Sequence, residues 1–202
     1  MKAEILIALT TFCVVSTITP GPNNMMLLSS GATFGFRRTL PHLFGISIGC
    51  GVMVLLLGLG LAGVISSVPW LYTALHLVST AYLLYLAWRI ATAIGVGAAT
   101  PRAKPLSFLQ AAAFQWVNPK AWAMILGATT SFSRPDHLAA DVFVIALVLV
   151  LTGIPCIMLW AGAGLAVRHL IERPGTLRLF NIGMATLLVA SLVPGLIKLF
   201  QA

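Results

Sequence analysis

Thr19-Pro20-Gly21-Pro22-Asn23-Asn24 interrupts an uncharged stretch that runs from position 5 to position 36. Two prolines and a glycine at successive positions remove backbone donors and fix φ, so a regular helix cannot continue through them. The 31 residues from 5 to 35 are also too many for one straight span. At about 1.5 Å per residue they exceed a hydrocarbon core about 30 Å thick. The stretch reads as one membrane span broken in its middle. A second stretch, 107–132, has the same design: it runs to Val117, meets Asn118-Pro119-Lys120, and continues to Phe132.

Composition supports the membrane reading. Of 202 residues, 59% are apolar, and the 12 Lys and Arg against 4 Asp and Glu give a net charge of +8. A soluble domain carries about 25% charged residues; the 8% here cannot cover a water-facing surface. A soluble enzyme and a disordered tail are excluded on that ground. The cations are scattered and form no basic patch, so no nucleic-acid partner is implied. The partner is the lipid bilayer.

The gaps between charges locate the spans. Uncharged runs cover 39–88, 142–167 and 179–197, and the longest is split by Ser66-Ser67-Val68-Pro69. With a span needing about 20 apolar residues, six result: about 5–35, 41–65, 70–90, 107–132, 141–167 and 179–199. The runs are continuously apolar, as in Val142–Leu151, which indicates helices rather than a barrel. The expected fold is an all-α polytopic membrane protein, with 1–202 as one transmembrane domain. Lys2 precedes an apolar run, but Glu4 and the lack of a small-residue cleavage site make it a retained first span. Loops 1–2, 3–4 and 5–6 hold eight cations (Arg37, Arg38, Arg89, Arg102, Lys104, Arg168, Arg173 and Arg178) against three on the other side (Lys2, Arg134 and Lys198). The positive-inside rule then places those loops in the cytoplasm and both termini outside.

The two breaks imply an internal repeat. Pro22 is followed nine positions on by Gly31-Ala32-Thr33, and Pro119 eight positions on by Gly127-Ala128-Thr129. Spans 1 and 4 therefore correspond, and the chain reads as three spans plus three, about 1–100 and 101–202. An odd number of spans per copy inverts the second copy. Interrupted spans at matching positions in two halves point to a transporter's midplane site. Lys120 sharpens this, because a lysine near the bilayer centre costs about 2.5–3.5 kcal/mol on insertion scales. Half-helices starting after Pro22 and Pro119 aim free N–H groups into the midplane, which with Lys120 suits a carboxylate. Freed carbonyls with Asn23, Asn24 and Asn118 suit an ammonium or hydroxyl. A zwitterionic amino acid meets both demands.

Other polar residues are weighed by position. Gln115, one turn before the second break, is a candidate wall of the same cavity. His76 in span 3 and Asp141 at the start of span 5 are candidate coupling groups. His42 reads as interfacial, and Trp70, Trp88 and Trp160 fit the aromatic belt. Trp116 and Trp122 flank the second break. Cys13, Cys50 and Cys156 form no C-x-x-C pair and read as small apolar fillers. Gly45 with Gly49, Gly58 with Ala62, and Gly162 and Gly164 read as packing positions, and such faces permit a homodimer.

These residues resemble a known family. Thr19–Asn24, followed by Gly35-Phe36-Arg37-Arg38 and then Gly45 and Gly49, resembles the first-repeat motif of the lysine exporter (LysE/RhtB) family. Ala81–Leu86 is similar to its third span, and Asn118-Pro119-Lys120-Ala121 to its second-repeat motif. The chain is also similar to the family's cysteine and O-acetylserine branch. The resemblance implies a bacterial inner-membrane exporter of amino acids or their derivatives, exchanging them for protons, with no cofactor and no catalytic residue. Its site would comprise Pro20, Gly21, Pro22, Asn23, Asn118, Pro119 and Lys120. Gln115 stands where many members carry asparagine, and His76 where a lysine or arginine is frequent. The alternative is a metal-cation efflux transporter, which would want carboxylate or thiolate ligands. The scattered histidines and isolated cysteines indicate no metal site. A membrane enzyme would need an acid–base constellation, and Ser29, Ser30, His76 and Lys120 make none.

Overall fold

A computed structural model describes residues 1–63, 69–92, 104–168 and 174–190. Among these the ordered elements are helical. They are α1 (Ala3–Ile18), α2 (Pro22–Phe34), α3 (Phe36–Leu56), α4 (Pro69–Ala91), α5 (Phe108–Phe114), α6 (Pro119–Phe132), α7 (Leu138–Val167) and α8 (Pro174–Ala190). Short turns at Leu57–Leu61, Gln115–Val117 and Pro135–His137 extend α3, α5 and α7. By length and apolarity, Phe36–Leu61 and Pro135–Val167 can each cross a membrane, and α1 with α2, bent by 56°, passes the same test only as a pair.

These helices overlap the expected apolar stretches, with two shifts in where they begin. Gly35 (φ 83°) closes α2 and opens α3 at once. Its left-handed backbone is easily reached only without a Cβ. The first loop is thus a single residue, and Arg37 and Arg38 lie exposed in the first turn of α3 rather than in a loop. Charge does not mark the helix end. α8 likewise begins at Pro174, before Arg178. Fourth-span residues form two short helices, α5 and α6, on either side of Asn118. Ser107 starts α5 with a capping box: Gln110 N donates to Ser107 Oγ at 3.3 Å, and Ser107 N donates to Gln110 Oε1 at 3.0 Å.

α7 is the central post, packed by α1, α2 and α3. Its far side is bare and apolar, with Phe143 61% and Leu159 65% exposed, as a lipid-facing surface requires. The main core joins Leu9, Leu27, Leu43, Ile46, Ile125, Ile145 and Ile157. A second cluster ties α4 and α8 to the rest through Met26, Leu83, Phe114 and Leu188.

Small residues set the closest approaches. A Cβ on Gly31 would run into the backbone of Ala161, and one on Gly164 into Leu28 and Ala32, so α2 and α7 meet backbone to backbone. Gly45 and Gly49 admit Phe108 and Ala112 of α5 in the same way. Among the described residues nothing lies within 4 Å of the Gly162 Cβ position, whereas Gly164 makes the close contact.

Candidate functional site

The two breaks meet. α1 ends at Ile18, and Thr19 (φ −64°, ψ 145°) and Gly21 (φ −178°, ψ 178°) are extended before Pro22 starts α2. Pro119 likewise occupies the first position of α6, where its missing N–H is harmless. Lys120 then reaches across. Its Nζ donates to Thr19 O at 2.6 Å, Thr19 Oγ1 at 2.9 Å and Pro20 O at 3.2 Å. All three ammonium protons are thereby used. The lysine caps the negative end of α1, which the sequence had assigned to a ligand's ammonium.

The same break is held by two more residues. Asn24 Nδ2 donates to Thr17 O at 2.8 Å and Thr19 O at 2.7 Å. Trp160 Nε1, from α7, donates to Ile18 O at 3.0 Å. This corrects the expected belt position of Trp160: its indole serves the break, because a freed carbonyl in the bundle needs a donor.

Behind the breaks lies an amide pair. Asn23 Nδ2 donates to Gln115 Oε1 at 2.9 Å, and Gln115 Nε2 donates back to Asn23 Oδ1 at 3.1 Å. Gln115 is fully buried and also donates to Ala111 O at 2.9 Å. Its Oε1 accepts longer contacts from the Cys50 thiol and Asn118 Nδ2, both at 3.4 Å. Asn118 Oδ1 accepts from Lys120 N at 3.1 Å, capping α6. Trp122 Nε1 donates to Trp116 O at 2.9 Å, and the two indoles meet edge-on.

These groups surround a cavity with about 40 Å³ of room for water-sized spheres, enough for a few waters. Ser16, Thr17, Gly21, Asn23 and Asn24 form the wall from the first span, and Asn118, Lys120, Ala121 and Met124 that from the fourth. Ile46, Ser47 and Cys50 of α3 and Leu149, Gly153 and Ile157 of α7 close it. A Cβ on Gly21 would lie 2.6 Å from Lys120 Cδ, so this glycine makes room for the lysine. No side chain caps the N-terminus of α2, and its first amides remain suited to an anion.

Of the residues singled out in the sequence, Gly21, Asn23, Asn24, Asn118 and Lys120 line the cavity. Pro20 contributes its carbonyl, Pro22 and Pro119 begin the half-helices, and Gln115 backs the wall. The side chain of His76 lies outside the described residues. Asp141 is buried elsewhere and clasped by Arg134: Nε to Oδ2 at 2.8 Å, Nη2 to Oδ1 at 2.9 Å, and the backbone N to Oδ2 at 3.1 Å. Donating hydrogen bonds to this carboxylate raises the Arg134 pKa above its ordinary value. His42 is buried in the bundle, 2% exposed. Cys50, Ser47 and Thr17 were missed. Ser47 and Cys50 stand one turn apart on the inner face of α3, the periodic signal that could have found them.

Comparison with known proteins shows the family of the chain. Residues 14–191 match the family described as LysE type translocator. The cysteine/O-acetylserine efflux protein of Salmonella typhimurium is 34% identical over 191 residues, covering 94% of this chain and 96% of that protein. The Escherichia coli K12 protein of the same name is 34% identical over 194 residues, with the same coverage. No solved structure matches. The chain therefore belongs to the LysE family, a family of membrane translocators and not of enzymes.

Proposed function

We propose that this chain exports small neutral amino acids of the cysteine and O-acetylserine type across the bacterial inner membrane. It is a secondary transporter working by alternating access of two inverted three-helix repeats about the paired breaks, with protons as the counter-ion. The arginine-bearing loops face the cytoplasm and both termini the outside. The relatives named for cysteine and O-acetylserine efflux support the substrate class.

One observation carries the reading. The Lys120 ammonium sits on the Thr19 and Pro20 carbonyls, where a substrate ammonium would sit. A zwitterion entering the cavity exchanges like for like. Its ammonium takes over the freed carbonyls, and its carboxylate takes the released Lys120 together with the uncapped amides of α2. No buried charge is left unpaired at any stage, as a low-dielectric site requires. Asn23 and Cys50 then face the side chain with amide and thiol groups suited to a small polar substituent, with Gln115 behind them. A metal cation finds an ammonium, amides and hydroxyls here, which does not favour the alternative of metal efflux.

The test is flux in reconstituted vesicles. Purified protein should exchange external labelled O-acetylserine for internal unlabelled O-acetylserine, and should accumulate it when a pH gradient is imposed. Vesicles in which no labelled amino acid moves under either condition would defeat this reading.

A further inference from the structure

His42 stands apart from the other lysine, histidine and acidic side chains described within the spans. Lys120 has three acceptors, and Asp141 is clasped by Arg134. The His42 ring is 2% exposed, and neither Nδ1 nor Nε2 has a hydrogen-bond partner among the described residues. A neutral imidazole carries one donor and one acceptor. Buried groups of that kind are almost always paired, and an exception calls for a reason. Inside a membrane protein the first reason to test is function.

Its position connects it to the cavity. His42, Ile46 and Cys50 follow one another at four-residue spacing on one stripe of α3, and Ile46 and Cys50 line the cavity. His42 is one turn further toward the arginine end of the helix, about 9 Å from its start. The elements packed on α3 bring few charges. α2, α5 and the turn 115–117 carry no ionisable side chain. α6 brings Lys120, already engaged, and α7 brings Asp141, already paired, and Cys156. On α3 itself are Arg37 and Arg38 in the first turn and Cys50. No carboxylate among these is free to hold an imidazolium.

We propose that His42 is the proton-binding group of the transport cycle. This rests on the exporter reading above and names the residue that carries its counter-ion. In the conformation described, the ring is neutral and dry. A proton arriving from outside adds to the unprotonated ring nitrogen and makes an imidazolium. An unpaired buried cation is strongly disfavoured, so protonation shifts the protein toward the conformation that opens this face of α3 to water. Loss of the same proton to the cytoplasm restores the neutral ring. One proton is bound and one released per cycle, opposite in direction to the amino acid.

His42→Gln keeps a polar side chain of similar size and cannot take the proton. Two fluxes of labelled O-acetylserine are read on the same vesicles: accumulation driven by a pH gradient, and exchange at equal pH. In the variant, driven accumulation falls by about tenfold or more while exchange stays within about twofold of wild type. Driven accumulation that survives in His42→Gln overturns this inference alone. Wild-type vesicles that show neither flux overturn the exporter reading and this inference with it. If the variant loses both fluxes, the four histidines allow a direct measurement. With His76, His137 and His169 replaced by Gln, the remaining NMR ring signal is that of His42. A signal that moves between about pH 5 and 8, and moves again with O-acetylserine, upholds the assignment; a signal indifferent to both overturns it.

Discussion

At the first break, Asn24 holds Thr17 O and Thr19 O locally, but the rest of the support comes from far along the chain. Lys120 takes Thr19 and Pro20, and Trp160 takes Ile18, partners 100 to 142 positions away. At the second break, the partners are neighbours. Asn118 N donates to Gln115 O, Asn118 Oδ1 takes Lys120 N, and Trp122 takes Trp116 O, none more than six positions apart. The second break is therefore complete as soon as its own helix forms. The first is complete only when α6 and α7 dock on it. Groups that depend on a distant partner can exchange that partner for a ligand; groups held by their own helix cannot do so without unwinding it. The first break is thus the adjustable half of the site and the second its fixed arm.

The contrast extends past the breaks. Gly31 and Gly127 occupy matching places in the two motifs. Gly31 meets the Ala161 backbone, whereas the nearest atom to a Cβ on Gly127 is a ring carbon of Phe12 at 3.5 Å. Equal sequence does not mean equal packing, and the proposed alternating-access cycle would use that inequality, with one gate closed while the other is open.

The largest expected effect comes from removing the link between the halves. Lys120→Ala takes three charge-assisted hydrogen bonds from the first break and leaves the second intact. Hydrogen bonds to charged groups are each worth about 1.5–3 kcal/mol, so amino-acid flux should fall by at least about tenfold to a hundredfold. Membrane insertion and helix content should stay close to wild type. A variant that transports normally would show that the asymmetry between the breaks has no part in transport.

A smaller loss is expected from Gly21→Ala. Gly21 is extended, with φ −178°, so alanine meets no backbone strain there. The added methyl meets Lys120 Cδ and must push the lysine aside. Overpacking of this sort costs about 1–3 kcal/mol, and flux should drop by about tenfold. The double variant with Lys120→Ala should be no worse than Lys120→Ala alone, because the methyl then has nothing to displace. Additive losses in vesicle flux would mean that Gly21 acts by some route other than the lysine.

Much of this was legible in the sequence, for identifiable reasons. Proline and glycine act on the backbone locally, so Pro20-Gly21-Pro22 and Asn118-Pro119 announced both breaks. The scarcity of charge made Lys120 conspicuous. What Lys120 binds was not legible, because the Thr19 and Pro20 carbonyls look like those of any other residue and only docking brings them within reach. Trp160 was misread for the same reason: near a span end, an indole suits the belt and the bundle equally. Cys50 was hidden by chemistry, since a thiol fills space like a methyl until an acceptor such as Gln115 Oε1 lies beside it. The burial of His42 followed from where α3 begins, and that was set by Gly35.

Gln115→Ala probes how the two breaks are joined behind the cavity. It would strip both amide bonds from Asn23 and an acceptor from Cys50 and Asn118 in a fully buried place. A buried polar group left unsatisfied costs about 1–3 kcal/mol. A lower melting temperature and a severalfold loss of flux should follow. Asn23→Ala combined with Gln115→Ala should recover part of the stability, because the orphaned partner is then absent as well. No coupling between the two in a thermal-unfolding cycle would mean that the halves are joined by Lys120 alone.

The smallest effect is expected at Asn118, and it tests whether the second break is truly local. Both ends of its side chain are used within the protein, Oδ1 on Lys120 N and Nδ2 toward Gln115. Replacing such a cap by alanine costs about 1 kcal/mol, whereas serine can still cap. Asn118→Ala should therefore lower stability by about that much and flux by a few fold, through looser placement of the α6 turn that carries Lys120. Asn118→Ser should restore most of both. If Asn118 instead contacts the substrate directly, serine is too short to reach it, and flux will stay low while stability recovers. Thermal unfolding and vesicle flux measured on the same two variants separate a wall of the fixed arm from a ligand of the substrate.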